Sequence, residues 1–354
     1  MKVLCIGDIH IKVSNVPEIE EMTKKILILV DERKPHIVIL MGDILDRHAT
    51  INVFCLLAAE KIVSELSKLV PTFLIIGNHD RPNNSNFLTN QHPFNSMKMW
   101  KNTYIIDKVA SYIFNLEENS LRTGNNKSNH EYRFILAPYV PPGRFDEALQ
   151  TIENPFVDTD FFASHQEYVG AKMGAIVSTI GDKWSLDRAL IISGHIHDYD
   201  MLQSNLIYVG VPLMHSFADK SNKTVSLFTF NKNPLKENDG KLCWSEERID
   251  LGLIKKVTVY LSPSEVENYQ PKENVQLKLV IKGDEAAIKT VAKLEKIKQL
   301  KKQGIKVVFK ILENTNITSN KISQKMSFKE RFVSEIDKDE LKWFNLLFTF
   351  YGIV

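Results

Sequence analysis

The chain has 354 residues, 44% of them hydrophobic and 25% charged, with a net charge of +2, which is typical of soluble globular proteins and excludes a highly charged disordered chain. It contains no run of about 18 apolar residues, so we expect no membrane-spanning helix. The three cysteines (Cys5, Cys55 and Cys243) are far apart and form no C-x-x-C pair, which excludes a disulfide-stapled module and indicates free thiols in a reducing compartment.

Five short apolar runs organise the first 200 residues, at positions 3–6, 37–41, 72–76, 161–163 and 189–192. Each has the length of a strand and is nearly continuous, as in strands whose two sheet faces are both covered. The first run follows the N-terminus without a basic and apolar leader, so we expect an intracellular protein rather than a secreted one.

Helical patterns lie between some of these runs. Residues 18–31 and 52–69 repeat apolar side chains at three- and four-residue spacing, which predicts two helices in a layered α/β domain. Residues 117–130 are polar and predict a surface loop. Further strands are predicted at residues 134–137, 207–209 and 225–230.

The pattern changes near residue 255. Two strand-like segments, a Lys-rich helix at 284–302 and a last strand at 305–312 predict a small α+β module. A polar stretch and a capping box at Ser327 follow, and predict a linker and a C-terminal helical segment. The predicted divisions are therefore 1–250, 251–313, 314–326 and 327–354.

The charge is distributed unevenly along the chain. Residues 1–220 carry 21 Lys/Arg and 26 Asp/Glu, whereas residues 221–354 carry 24 and 17. An acidic first part suits a cation site, and a basic second part suits contact with a polyanion. The alternative for the second part is solvated lysines on helix faces.

A polar motif follows each of the five apolar runs. The motifs are Gly7-Asp8-Ile9-His10, Gly42-Asp43-Ile44-Leu45-Asp46, Gly77-Asn78-His79-Asp80, Ser164-His165 and Gly194-His195-Ile196-His197. In open α/β sheets, functional sites gather at the carboxyl ends of the strands, so we expect these side chains to converge if the strands are neighbours.

The convergent set supplies oxygen and imidazole ligands without a thiolate. Its members are Asp8, His10, Asp43, Asn78, His165, His195 and His197. This chemistry suits manganese, iron or zinc, and seven ligands are too many for one metal with an open position, so two metals are predicted. A single such motif is more often a hydrogen-bonded structural residue, but five motifs in order favour a metal site.

At these residues the sequence resembles the calcineurin-like metallophosphoesterases, whose pattern is D-x-H, G-D-x-x-D, G-N-H-[DE], H and G-H-x-H. The resemblance covers about residues 1–230 and implies a layered β-sandwich flanked by helices. It implies that Asp8, His10, Asp43 and His197 hold one metal. It implies that Asp43, Asn78, His165 and His195 hold the other.

The same resemblance assigns catalytic roles. His79 would act beside the leaving group, and Asp80 would orient it. Asp46 stands where some relatives carry a histidine tied to exonuclease action, so it is a third candidate. Alternatively, Asp46 caps the helix predicted at 52–69 or forms an ion pair with Arg47.

A narrower resemblance is to the SbcD nucleases, the meiotic-recombination-eleven family. It rests on three features, at residues 137–139, at residues 164–174, and at residues 193–197 followed by 207–212. It implies exonuclease action on duplex ends and endonuclease action on single strands, with two divalent ions, manganese foremost, in break processing and recombination. The module at 255–312 falls where that family carries its DNA-capping domain.

The SbcD resemblance also implies partners. A homodimer would form through residues 52–69 and 86–100, although these segments could instead pack on their own sheet. The C-terminal segment at 327–354, with Trp343, Phe344 and Phe348, would bind the base of the coiled coil of an SbcC-type ATPase, or else fold back on the chain. Two rival functions are a phosphatase or phosphodiesterase for small or protein substrates and a non-catalytic scaffold on the same fold.

Overall fold

The computed structural model describes residues 1–232 and 243–312. Within them the helices are α1 (Val16–Arg33), α2 (Val53–Leu69), α3 (Phe145–Leu149), α4 (Glu285–Val291) and α5 (Glu295–Lys302). The first nine strands are β1 (Lys2–Ile6), β2 (Ile37–Leu40), β3 (Thr72–Ile75), β4 (Thr103–Ile106), β5 (Ala110–Asn115), β6 (Ser120–Thr123), β7 (Glu131–Ala137), β8 (Phe161–Ser164) and β9 (Lys172–Met173). The remaining strands are β10 (Ile176–Val177), β11 (Leu190–Ser193), β12 (Asp200–Gln203), β13 (Leu206–Tyr208), β14 (Val225–Asn231), β15 (Cys243–Ile249), β16 (Lys255–Leu261), β17 (Val275–Gly283) and β18 (Lys306–Ile311).

Two mixed sheets form a sandwich. The first has the order β15-β14-β1-β2-β3-β4, with β1 to β4 parallel. The second has the order β12-β13-β11-β8-β7-β5-β6, with β13, β11, β8 and β7 parallel. The five motif-bearing strands are therefore divided between the sheets, three in the first and two in the second.

Strand β1 shows why its sequence is continuously apolar. Val3 and Cys5 point into the core between the two sheets, whereas Leu4 and Ile6 point into a core shared with α1 and α2. Successive strand residues alternate between faces, so a strand covered on both sides must be apolar at every position. The second sheet is covered on its outer face by α3 and Trp184, which gives the order helices, sheet, sheet, helix.

The C-terminal part of the described chain is a three-stranded parallel sheet, β16-β17-β18, with its own core. Its helical region is not the single helix predicted at 284–302. Leu294 takes an extended backbone and separates α4 from α5. The break lets both short helices bury apolar side chains on the same sheet, among them Ile288 and Ile297.

The polar stretch at 117–130 also differs from the prediction, because it contains β6. This strand pairs antiparallel with β5 at the edge of the second sheet, with Tyr112 opposite Thr123. An edge strand with exposed side chains is held by backbone hydrogen bonds, which leave no apolar pattern in the sequence. No helix in the described part of the chain combines the length and apolarity of a membrane crossing.

The linker predicted at 314–326 and the segment predicted at 327–354 lie outside the described residues. The proposed domain divisions stay predictions. What the structure describes at the boundary is a polar contact: Lys256 Nζ in β16 lies 2.9 Å from Glu18 Oε2 of α1, and Gln276 Nε2 donates to Glu18 Oε1 at 2.6 Å.

Candidate metal centre

The polar motifs meet because the motif-bearing strands of both sheets end at the same edge of the sandwich. Glycines allow this close approach at two points. A Cβ on Gly77 would lie 2.2 Å from Asp43 Oδ1, and a Cβ on Gly42 would lie 2.5 Å from His165 Nδ1. Gly42 also has a φ of +103°, a backbone conformation that residues with a side chain rarely adopt.

One candidate ligand group consists of Asp8, His10 and His197, whose donor atoms lie within 4.8 Å of one another. The Nε2 atoms of His10 and His197 are 3.0 Å apart. The Asp8 carboxylate accepts from the backbone N–H of His195 at 3.0 Å, which fixes it toward the same point. We refer to these three residues as the first ligand group.

The second ligand group is Asp43, His165 and His195, again within 4.8 Å. Asn78 Oδ1 joins it, at 3.0 Å from both His165 Nε2 and His195 Nδ1. The Asp43 Oδ2 atom lies 3.3 Å from His165 Nε2 and 3.7 Å from His10 Nε2. Asp43 therefore stands between the two groups, where the resemblance places a bridging carboxylate.

Three of these residues have a left-handed backbone. The φ angles are +47° at His10, +49° at Asp43 and +79° at His195. Such angles in non-glycine residues cost of order 1–3 kcal/mol each and persist only where surrounding contacts enforce them. This backbone strain is concentrated where the motif residues of the two sheets meet.

Burial perturbs the acid–base properties of the site. Burial raises the pKa of Asp8 to about 7, although the charge of His165 acts to lower it. Burial and the nearby Asp43 charge together raise the pKa of Asp80 to about 6. Burial alone would lower the pKa of His165, but the Asp43 and Asp8 carboxylates raise it to about 9. The His165 charge and hydrogen bond overcome burial at Asp43 and hold its pKa well below the ordinary value.

These residues fit divalent metal ions. Lone pairs of two imidazoles meet at 3.0 Å in the first group, and two imidazole nitrogens and an amide oxygen meet at 3.0–3.3 Å in the second. Cations between these atoms would satisfy them and stabilise the buried carboxylates. The His10 Nδ1 atom, turned away from His197, is buried without a hydrogen-bond partner among the described residues, with Asp46 Oδ1 3.8 Å away.

The predicted catalytic residues lie beside the two groups, but their contacts differ from expectation. His79 Nδ1 donates to the backbone carbonyl of Asp46 at 2.7 Å. Asp80 does not orient His79 through a hydrogen bond; its carboxylate accepts from the backbone N–H groups of Leu45 and Gly77, each at 3.0 Å. Asp46, rather than Asp80, therefore holds the His79 ring.

Both structural alternatives for Asp46 are wrong. Helix α2 is capped by Asn52, whose side chain accepts from the Phe54 backbone N–H at 2.9 Å. The ion-pair partner of Asp46 is Lys12, at 3.0 Å, and not Arg47. Asp46 thus contacts the site through both its carboxylate and its carbonyl.

Sequence reasoning missed several residues that line the site. His48 stacks on His79, with ring centroids 4.5 Å apart, and Glu167 Oε2 lies 3.9 Å from His195 Nε2. Buried Lys223 donates to the His197 carbonyl at 2.9 Å. His215 packs against His10 and His197. Glu167 lies in the segment 164–174 that carries the SbcD resemblance, which could have drawn attention to it, whereas His48, Lys223 and His215 belong to no predicted motif.

The fold and the paired Asp/His groups are those of a metallophosphoesterase. The sequence profile of the family described as calcineurin-like phosphoesterase matches residues 1–199, and the chain belongs to this family. Its fold typically binds two divalent metals. The predicted calcineurin-like family and its fold are thereby confirmed, whereas the narrower SbcD type stays a prediction.

The chain is similar to two viral proteins. It is 34% identical to "Putative phosphoesterase 078R" of Invertebrate iridescent virus 3, over 90% of this chain and 87% of that protein. It is 33% identical to "Putative phosphoesterase 244L" of Invertebrate iridescent virus 6, over 82% of this chain and 97% of that protein. Both similarities extend beyond the matched family domain into the C-terminal part of this chain, since neither alignment fits within 199 residues.

Proposed function

We propose that this phosphoesterase is a metal-dependent DNA nuclease of the SbcD type, which cleaves phosphodiesters at duplex ends and in single strands with manganese. The observation that carries the proposal is the basic module held beside the metal centre. Residues 255–312 contain 13 lysines and six acidic residues. Lys256 Nζ donates to the carbonyl of Met214 at 2.8 Å, one residue before His215, which contacts His10. A phosphate polymer bound at the centre would lie near this positive charge.

The proposed chemistry divides between the ligand groups and His79. The two ligand groups would hold divalent ions, whose chemistry when bound would be to polarise a phosphate and to lower the pKa of a water molecule. His79 donates its Nδ1 proton to the Asp46 carbonyl, since a carbonyl oxygen only accepts. Nε2 is then the ring nitrogen left for the substrate, and it would stabilise charge on the phosphate or protonate the leaving oxygen when the ring is in its imidazolium form, with protons on both nitrogens.

A cleft of about 430 Å³ adjoins this part of the site and supports an extended substrate. It is lined by Asp46 and by two cations, Lys12 and Arg47, together with apolar side chains such as Val13 and Ile51. This mixture suits a chain of phosphates and bases better than a lone phosphate group.

The test compares substrates of increasing size with manganese present. Wild-type protein is given a bis-aryl phosphate, a labelled single strand, a labelled blunt duplex and a hairpin, with Asp43→Asn as the matched inactive control. Shortening of the duplex and cutting of the single strand are expected. Hydrolysis of the aryl ester with intact DNA would overturn the nuclease proposal in favour of a small-substrate phosphodiesterase. Bound metal without any hydrolysis would favour the scaffold.

A homodimer is also proposed, through only part of the two segments first expected, 52–69 and 86–100. Val53, Phe54 and Leu57 on α2 are exposed by 54–67%, and Met99 by 88%. Phe94 and Met97, however, are fully buried against the chain's own first sheet and are not available to a second copy. A monomeric mass by light scattering at tens of micromolar would contradict the dimer.

The SbcC-type ATPase remains a proposed partner, with its binding segment at residues 327–354 outside the described residues. Deleting that segment should abolish co-purification with the ATPase and preserve manganese-dependent cleavage of simple ends. Retained ATPase binding by the shortened chain would contradict this assignment.

A further inference from the structure

The loop between β13 and β14 returns to the metal centre through His215. The His215 ring lies 5.2 Å from the ring of His10, at an interplanar angle of 87°, and 5.4 Å from the ring of His197. Its Nε2 atom is 3.2 Å from the backbone carbonyl oxygen of Asp8. His215 thus touches each member of the first ligand group.

The second ligand group has a separate set of supports. His165 Nδ1 donates to the carbonyl of Met41 at 2.8 Å, and Asp43 Oδ1 accepts from the backbone N–H of His79 at 2.8 Å. Among the described contacts, His215 has none with Asp43, His165 or His195. The influence of His215 on geometry should therefore be confined to one of the two groups.

The loop fixes His215 firmly. The Asp219 carboxylate accepts from the backbone N–H groups of His215 and Ser216, at 2.7 and 3.1 Å, and from the Ser216 hydroxyl at 2.6 Å. At its far end, Lys223 donates to the His197 carbonyl and to the Asp198 carboxylate, at 2.9 and 3.0 Å. A free surface loop would not be tied at both ends to residues of the site.

The contacts of His215 are made beside a strained part of the backbone, at Asp8 and His10. A carbonyl oxygen only accepts, so the His215 Nε2 atom carries the proton and restrains the Asp8 carbonyl. Two residues later, His10 has its unfavourable φ of +47°. Strained conformations persist only when neighbours enforce them, and the His215 ring supplies a neighbour to the His10 ring itself.

We propose that His215 is a positioning residue for the first metal position: it holds Asp8, His10 and His197 in ligating geometry without contacting substrate. This inference rests on the metal-binding part of the proposed function and not on the nuclease activity. It assigns His215 to the groups that orient metal ligands, whose removal typically lowers metal affinity about 10–100-fold.

The experiment measures metal binding directly. Manganese is titrated into the metal-free full chain, and free manganese is followed by electron paramagnetic resonance. The variants are His215→Leu, which keeps bulk but loses the donor, and His215→Gln, whose amide Nε2 can still donate to the Asp8 carbonyl. His36→Ala, a half-buried histidine beside β2, is the control for loss of an imidazole.

His215→Leu should weaken one of two manganese sites by about 10–100-fold and leave the other within a few-fold, because only the first group loses a support. His215→Gln should restore most of the affinity, and His36→Ala should match wild type. Thermal unfolding without metal tests whether each variant is folded. Equal weakening of both sites, or wild-type affinity in His215→Leu, would overturn the inference. Absence of DNA cleavage by fully loaded wild-type protein would contradict only the nuclease proposal.

Discussion

Charged groups are buried in the catalytic sandwich, whereas the β16–β18 module carries most of its charge on the surface. Asp8 and His165 have no exposed surface and Asp43 has 2%, and burial and mutual interaction shift the pKa of each. In the module, Lys301 and Lys302 are exposed on α5. Buried carboxylates are costly unless a positive charge compensates them, so the first arrangement favours cation binding. The second offers attraction to a polyanion at little structural cost.

The two regions also differ in how many residues have strained backbone angles. The metal centre contains three non-glycine residues with positive φ, which its packed surroundings enforce. In the module, the only described non-glycine residue with positive φ is Asn274, in the turn before β17, a residue type that tolerates it. Strained backbone angles are thus concentrated where the candidate metal ligands must converge. The module has no such requirement and needs only a stable sheet. Four sets of substitutions test this contrast.

The largest effect is expected from Asp43→Asn. The change removes the carboxylate that stands between the two ligand groups, so both metal positions lose a charged ligand. Metal content by elemental analysis should fall from two ions towards none, and phosphodiester hydrolysis should fall to background. Retention of two ions would show that the assignment of Asp43 as the shared ligand is wrong.

His79→Ala should lower the turnover rate by about 10²–10⁴-fold, the usual contribution of a general acid or base. Metal content should stay at two ions, because the resemblance gives His79 no ligand role. His48→Ala, which removes the ring stacked on His79, is the matched control and should have a smaller effect. Loss of metal in His79→Ala would identify it as a ligand, as its proximity to His10 and Asp43 allows.

Breaking the contact between the two regions should have a moderate effect. Lys256→Met removes the cation beside Glu18 and leaves that carboxylate with its hydrogen bond from Gln276. Because the side chains of Lys256 and Glu18 are 9% and 19% exposed, we expect a loss of about 1–2 kcal/mol in unfolding free energy. Hydrogen exchange in β16 should rise more than in β1. The double variant with Glu18→Gln should cost less than the sum of the two single changes. Additive effects would mean that this pair does not couple the regions.

The smallest effect is expected from removing positive charges on the surface of the β16–β18 module. Replacing Lys293, Lys301 and Lys302 with Gln should weaken binding to duplex DNA and reduce its salt dependence, by about 0.9 in the log–log slope for each phosphate that is no longer neutralised. Three exposed lysines of the sandwich, Lys24, Lys101 and Lys108, replaced in the same way, match the change in net charge. Equal effects of the two triple variants would show that the module has no special role in DNA binding.

The five motif-bearing strands and the identity of the converging side chains could be predicted from the sequence. Strands covered on both faces must be apolar at every position, so a carboxylate, amide or imidazole just beyond such a run stands out. The module was located by a different signal, strand-like segments on both sides of a Lys-rich helical region, since β17 and β18 carry lysines among their apolar residues. Convergence was predicted on the condition that these strands are neighbours, and the structure divides them between two sheets, three strands in one and two in the other.

The supports of those side chains depend on tertiary contacts that the sequence does not reveal. The Asp46 carbonyl holds His79 across 33 residues, and His215 reaches Asp8 across 207. Such contacts use backbone carbonyls, which every residue has, or the faces of aromatic rings. Neither kind of contact produces a repeating pattern of residue types along the chain. The break between α4 and α5 and the edge strand β6 were likewise invisible, because neighbouring elements and backbone pairing fix them. Apolar burial leaves a local pattern along the chain, whereas long-range hydrogen bonding does not.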